Sequence, residues 1–293
     1  MSVRSARAAA LPAVQRAAFL AGRATARLRA TPDLLICGAQ RCGTTSMYQA
    51  LRQHPAVLRP VARKGVHYFD DVTYRNGIDW YRAHFPLRAE VARTAARAGE
   101  PAHVFESSPY YLFHPAAAGR IAQTLAGVRA IVLLRDPVER AYSAYTHEFR
   151  RGYETETFER ALELEDERLA GEEQRLLADP GYASHAHRHQ AYLHRGVFVD
   201  QLERLTGALG RERVHVVDAD DFFTDPEPVW QGVSEFLGLS AFRPQFEQHN
   251  ARPRSAMPDE LRARLRRHFD DADERLEAWW GRTPSWRRSD PPA

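Results

Sequence analysis

The stretch Asp33 to Ala50, DLLICGAQRCGTTSMYQA, sets a Gly-containing turn between a short apolar run and a helix-forming one. Gly38 and Gly43 have the G-x-x-x-x-G spacing of a phosphate-cradling loop. Backbone N–H groups in such a turn, at the head of a helix, favour a bound anion. Arg41, Thr44 and Thr45 add a charge and two hydroxyls. A nucleotide triphosphatase carries Lys directly after the second Gly, to reach the terminal phosphates. Thr44 stands there instead. No apolar run ending in Asp makes a convincing metal-holding partner. The loop therefore reads as a phosphate site of another kind, or as an ordinary strand–helix turn.

A second pointed segment is LLRDPVERAYS, residues 133–143. Arg135 ends an apolar run and Ser143 falls two turns into the next helix, so the two could grip one phosphate. Alternatively Arg135 pairs with a carboxylate and Ser143 packs inside the helix. The chain has 41 basic residues, yet Lys64 is its one lysine. It is either an accident on a solvated surface or a residue kept for its chemistry. The two cysteines, Cys37 and Cys42, form neither a disulfide framework nor a metal pattern. Cys37 reads as a small buried hydrophobe. Cys42, inside the loop, is reactive only if the site is electropositive.

Strands are expected over 33–37, 103–106, 129–134 and 214–217, each short and apolar. Residues 63–69, RKGVHYF, read as a loop or a short edge strand. Helices follow over 44–53 and from Pro137 to about 151. Further helical stretches cover 158–177, 186–209 with a break at Gly196, a segment ending at Gly238 after the acidic turn DADDF, and 258–280. This alternation predicts an α/β fold: a P-loop-type central parallel sheet of about 4–5 strands flanked by helices on both faces. Ligands of such sheets bind beyond the carboxyl ends of the strands. Gly38–Thr45 and Arg135–Ser143 both lie there. The organisation expected is an Arg/Ala-rich segment over 1–32, one domain over 33–282 and a disordered tail over 283–293.

The chain has 293 residues and a net charge of +3. That balance suits an anionic small molecule or glycan better than nucleic acid. No apolar run approaches the roughly 20 residues of a membrane span. Residues 1–32 contain six Arg and no acid. The apolar piece Ala17 to Ala21 is too short for a secretory core. The segment reads as a frayed or surface-packed helix, or as a weak contact with anionic lipid. A cytoplasmic, bacterial enzyme is the expectation.

Together these segments resemble the sulfotransferases that use 3′-phosphoadenosine 5′-phosphosulfate (PAPS), in the branch that includes heparan sulfate sulfotransferases and bacterial relatives. GAQRCGTTS looks like their 5′-phosphosulfate loop, and LLRDPVERAYS is similar to their 3′-phosphate motif. Lys64 with His67-Tyr68-Phe69, Glu106-Ser107-Ser108-Pro109-Tyr110-Tyr111, YLHRG at 192–196 and FLGL at 236–239 resemble further segments, in the same order. The resemblance implies a sulfuryl transfer from PAPS to a hydroxyl or amine, with adenosine 3′,5′-bisphosphate as product and no metal. Arg41, Cys42, Gly43, Thr44 and Thr45 are then expected at the 5′-phosphosulfate. Arg135 and Ser143 are expected at the 3′-phosphate, with Arg252 and Arg254 closing over the same end. Lys64 is expected to stabilise the leaving bisphosphate.

The sequence departs from that branch where Lys-Glu-x-His is usual. Here it reads Lys64-Gly65-Val66-His67, and Gly65 cannot act as a base. His67 is the first candidate for the general base and Glu106 the second. Ser107 replaces a Lys of the heparan-type relatives. The acceptor stays open among carbohydrates, other small molecules and natural products. Two alternatives to a transferase of sulfate are a P-loop kinase or nucleotide phosphotransferase, and a catalytically inactive bisphosphate-binding protein.

Overall fold

A computed structural model of the protein describes residues 16–61, 63–247 and 257–288. Its centre is β1 (Leu34–Gly38), in which all five residues are buried. An apolar strand with no polar alternation suits only a position covered on both faces. Parallel partners flank it: β3 (His103–Ser107) on one side and β4 (Arg129–Leu134) on the other. β2 (Val57–Leu58) extends the sheet beyond β3, and β5 (Val214–Asp218) beyond β4. The order is β2-β3-β1-β4-β5, all parallel. The chain leaves β1 toward β2 and leaves the adjacent β4 toward β5, in opposite directions, which opens a crevice between their carboxyl ends.

The register sets the floor of that crevice. Leu35 lies beside Glu106, and Ile36 lies beside both Ser107 and Ile131. Four segments therefore end at one level: the loop after β1, the end of β3, the end of β4 and the loop preceding residue 70. Helix α1 (Thr44–Leu51) follows the first loop. Helix α2 (Pro137–Arg150) follows β4, with Pro137 in its first turn. Asp136 caps it, accepting from the N–H groups of Val138 (2.8 Å) and Glu139 (3.3 Å). Helix α3 (His185–His189) is capped by Ser184. The long closing helix α4 (Asp259–Trp280) packs through Leu261, Leu265, Phe269 and Leu276, a helical spacing legible in the sequence.

Some elements differ from the sequence reading. The two-residue β2 escapes notice because it is too short to show a pattern. Residues 63–69 form a loop, the first of the two readings offered for them. The acidic turn after β5 is a helix, Ala219–Thr224, because Asp218 caps it. The tail expectation also changes. Ser285–Arg287 form a 3₁₀ turn, with Ser285 bonded to Asp218 (2.7 and 2.8 Å) and Trp286 Nε1 to Asp273 (2.7 Å). Residues 289–293 lie outside the described residues, as do Arg252 and Arg254.

Candidate active site

The loop after β1 is shaped by two left-handed residues. Gly43 has φ 82°, and a Cβ there would sit 2.7 Å from the Phe223 ring, so only glycine fits. Arg41 has φ 71°. Among the described residues, the two non-glycine residues with positive φ are Arg41 and His67 (φ 54°). Such conformations cost of order 1–3 kcal/mol each and persist only where their surroundings fix them. Arg41 is fixed by its Nε, which donates to Ser143 Oγ at 3.0 Å. That bond joins the two phosphate-type segments across 102 residues of chain.

Thr44 and Thr45 open α1, so their N–H groups have no partner within the helix. Cys42 does not contribute in the expected way. It is fully buried, its N–H goes to Ala39 O (3.2 Å), and burial pushes its thiol up to about 12. It packs the loop and is not a reactive thiol. Arg135 ends at Asp220, 3.5 Å from Nε to Oδ1, and that buried Nε has no hydrogen bond. Ser143 is buried on α2.

Lys64 comes to the same loop from the other side. Its Nζ donates to Thr45 Oγ1 at 2.9 Å and lies 5.6 Å from the centre of the Tyr48 ring. Burial lowers its ammonium to about 8. The neighbouring Gly65 has no room for a side chain: a Cβ would stand 2.3 Å from Ser107 O and 2.9 Å from Ser108 Oγ. The glutamate usual in the resembling branch therefore cannot be accommodated here without displacing the end of β3.

Glu106 occupies that end and has no exposed surface. It accepts from Val66 N–H (2.6 Å), Tyr81 OH (2.7 Å), Tyr111 OH (2.8 Å) and Ser108 Oγ (2.9 Å). Ser108 Oγ in turn accepts from His67 N–H (3.1 Å), and Tyr111 OH from Tyr68 N–H (3.0 Å). One carboxylate thus anchors three consecutive backbone N–H groups. Burial pushes its carboxyl up, and the four donors oppose this. With its oxygens enclosed by these donors, Glu106 shapes the loop that carries His67.

His67 keeps 39% of its side chain exposed, and its Nδ1 lies 2.8 Å from Asp70 Oδ2. Burial works against the charged ring, but the charge and hydrogen bond of Asp70 outweigh it and raise its pKa above the ordinary value. Asp70 has no side-chain exposure. With Nδ1–H donated to Asp70, Nε2 is the ring's free acceptor. Arg188 of α3 stands behind the pair. It donates to Asp71 Oδ2 (2.8 Å), lies 3.9 Å from Asp70 Oδ1 and opposes the rise of His67. Arg195, itself buried, donates through Nη2 to the carbonyls of His187 (2.6 Å) and Arg188 (3.1 Å) and through Nη1 to Gln40 in the loop.

The structure brings Arg41, Thr44, Thr45, Lys64, Arg135 and Ser143 to one crevice. Sequence reasoning missed Asp70, Arg188 and Gln40. An i,i+3 spacing from His67 was the one signal for Asp70, and in a loop that spacing carries no geometry. The aromatics around the site are largely core: Tyr68, Tyr81, Tyr110 and Tyr111 are buried. Among the described residues, no group of three or more His, Cys, Asp or Glu could hold a metal ion.

Comparison with known proteins fits this arrangement. The profile of the sulfotransferase domain matches residues 31–259. The membrane-associated sulfotransferase kil1 of Dictyostelium discoideum is 23% identical, across 89% of this chain and 68% of its own length. Heparan sulfate glucosamine 3-O-sulfotransferase 5 of Homo sapiens is 28% identical, across 75% of this chain and 56% of its own. The chain thus spans about two thirds of the first relative and little more than half of the second. The crystal structure of a sulfotransferase from Alicyclobacillus acidocaldarius is similar with a TM-score of 0.62 and 31% identity, covering 88% of this chain and 100% of that one.

Proposed function

The chain belongs to the sulfotransferase domain family, and from that premise we propose that it moves the sulfuryl group of PAPS to a hydroxyl or amine of a carbohydrate or natural-product acceptor, by in-line transfer. The observation that carries this reading is the bond from Lys64, the chain's one lysine, to Thr45 at the head of α1. A cation in that place meets an anion held by the loop. The fit to PAPS rests on the donor set: two chain segments, each with a cation and hydroxyls, adjoin through the Arg41–Ser143 bond, which suits two phosphates of one nucleotide. The buried, unbonded Nε of Arg135 supports the second of them.

When bound, PAPS supplies a sulfuryl group already activated by its 5′-phosphate. The residues of the chain do the rest. Arg41, Gly43, Thr44 and Thr45 hold the 5′ end through backbone N–H groups, hydroxyls and one guanidinium. Arg135 and Ser143 hold the 3′-phosphate. Lys64 places positive charge at the developing negative charge of the leaving group, in a site dry enough to strengthen it. His67 takes the acceptor proton at Nε2, with Asp70 fixing the tautomer. Glu106 is a positioning residue in this scheme. Arg252 and Arg254, outside the described residues, are proposed to close over the same phosphate.

Calorimetric titration with adenosine 3′,5′-bisphosphate, with and without Mg²⁺ and beside ATP, tests the reading. Metal-independent binding that weakens in Arg135→Ala is expected. Preference for ATP with Mg²⁺ would overturn it in favour of a kinase.

A further inference from the structure

The positive charge of this protein is segregated. Residues 1–32 hold six Arg and no acid, and the remaining 261 residues carry 35 basic and 38 acidic side chains. The described part of the basic segment is a helix over 16–24 that runs into a 3₁₀ turn, Ala26–Leu28. It presents three stripes at helical spacing. Phe19, Gly22 and Ala26 face the body. The Phe19 ring lies 5.7 Å from Trp80 and 4.8 Å from His84, and a Cβ on Gly22 would meet Ala83 O at 2.1 Å. Arg16, Arg23 and Arg27 form an exposed second stripe. Ala17, Leu20, Ala21, Ala24 and Leu28 form a third, also exposed, with Leu20 at 60% and Leu28 at 64%.

The helix is held in this pose from both ends of the turn. Arg88 donates to Arg27 O (2.7 Å) and Arg29 O (3.3 Å), and Arg29 Nη1 donates to Phe85 O (2.5 Å). The acid nearest the Arg stripe is Asp79, 3.9 Å from Arg27 and partly exposed. A soluble polyanion would use the arginines and leave the leucines idle. A lipid surface uses both, with headgroup phosphates on the Arg stripe and the acyl boundary on the leucines. We infer that this segment docks the protein on the surface of an anionic lipid bilayer. Among the described residues no helix is long and apolar enough to cross a membrane. On the helix's inner side, Trp80 touches Phe19 and lies 6.0 Å from the ring of Tyr68, the residue after His67.

Sedimentation of the full chain with vesicles tests this, using phosphatidylcholine alone against phosphatidylcholine with phosphatidylserine. Binding is expected only to the mixed vesicles. Arg16→Gln, Arg23→Gln and Arg27→Gln together should weaken it about 100-fold, at roughly fivefold per charge. Leu20→Ser with Leu28→Ser should weaken it about tenfold without altering net charge. The same leucine pair should leave retention on immobilised heparin unchanged. Equal binding to both vesicles, no binding to either, or a leucine pair that binds like the wild type would overturn the inference. Unchanged melting temperatures in both variants show that the losses are not unfolding.

Discussion

Replacing Asp70 by Asn should lower the pKa of His67, and replacing Arg188 by Gln should raise it. The magnitudes follow from the geometry. Asp70 Oδ2 lies 2.8 Å from His67 Nδ1 and has no solvent of its own. A hydrogen bond to a charged group contributes about 1.5–3 kcal/mol. The ring is more than a third exposed, so screening places the effect at the lower end of that range. Arg188 lies 3.9 Å from the other oxygen of Asp70 and already pairs with Asp71, so its loss should act in the opposite sense and less strongly. Histidine ring resonances followed from about pH 5 to about pH 9 give these values without any acceptor. In turnover, the acid limb of kcat/KM should follow the same two shifts, because the neutral ring is the base. Shifts of the same sign in both variants, or none, would refute the assignment of Asp70 and Arg188 to His67. Resonances that shift as expected while the acid limb stays put would leave the pairing intact and remove His67 as the base.

Lys64→Ala should cut turnover about 10²–10³-fold while bisphosphate affinity changes less than tenfold; equal losses in titration and kinetics would sink the leaving-group role. Gly65→Glu should not gain a base but lose about 1–3 kcal/mol of stability, because its Cβ would stand 2.3 Å from Ser107 O; a melting temperature equal to wild type would show that β3 yields. Asp273, buried and bonded to Trp286, has its carboxyl raised to about 6, chiefly by burial. Its favourable contribution is complete below the ordinary 3.8 and is lost as pH rises through about 6, so Asp273→Asn should flatten denaturant stability between about pH 4 and pH 6 by about 2–3 kcal/mol. A parallel pH profile in wild type and variant would contradict this. Arg135→Ala should weaken bisphosphate binding by about 2–5 kcal/mol in the same titration, and an unchanged affinity would move the 3′-phosphate elsewhere.

The sheet was legible because β1, β3, β4 and β5 are short apolar runs closed by a turn or a charged residue, and central parallel strands admit nothing else. The anion loop was legible for a related reason: Gly43 must adopt a conformation that other residues resist. What the sequence hid is contact between distant loops. Glu106 looks like a base in sequence, as a carboxylate at a strand end, and only its four donors show that it is occupied. Gly65 looks like a missing base, and only the 2.3 Å approach to Ser107 O shows that the place is already taken. Arg188 lies 118 residues from Asp70, in a stretch that reads only as helical. Cys42 sits inside the loop in sequence, and only its full burial shows that its thiol packs with the core.

The bond between Arg41 and Ser143 also spans a long stretch of chain. Its partners lie 102 residues apart, on the loop after β1 and on α2, and they meet only where β4 has paired with β1. Lys64 reaches Thr45 over 19 residues. Closing the longer loop costs more entropy than closing the shorter, and domains generally fold as units. The left-handed backbone of Arg41 is therefore tied to the completed sheet, and a change that loosens β4 or α2 should be felt in the loop after β1.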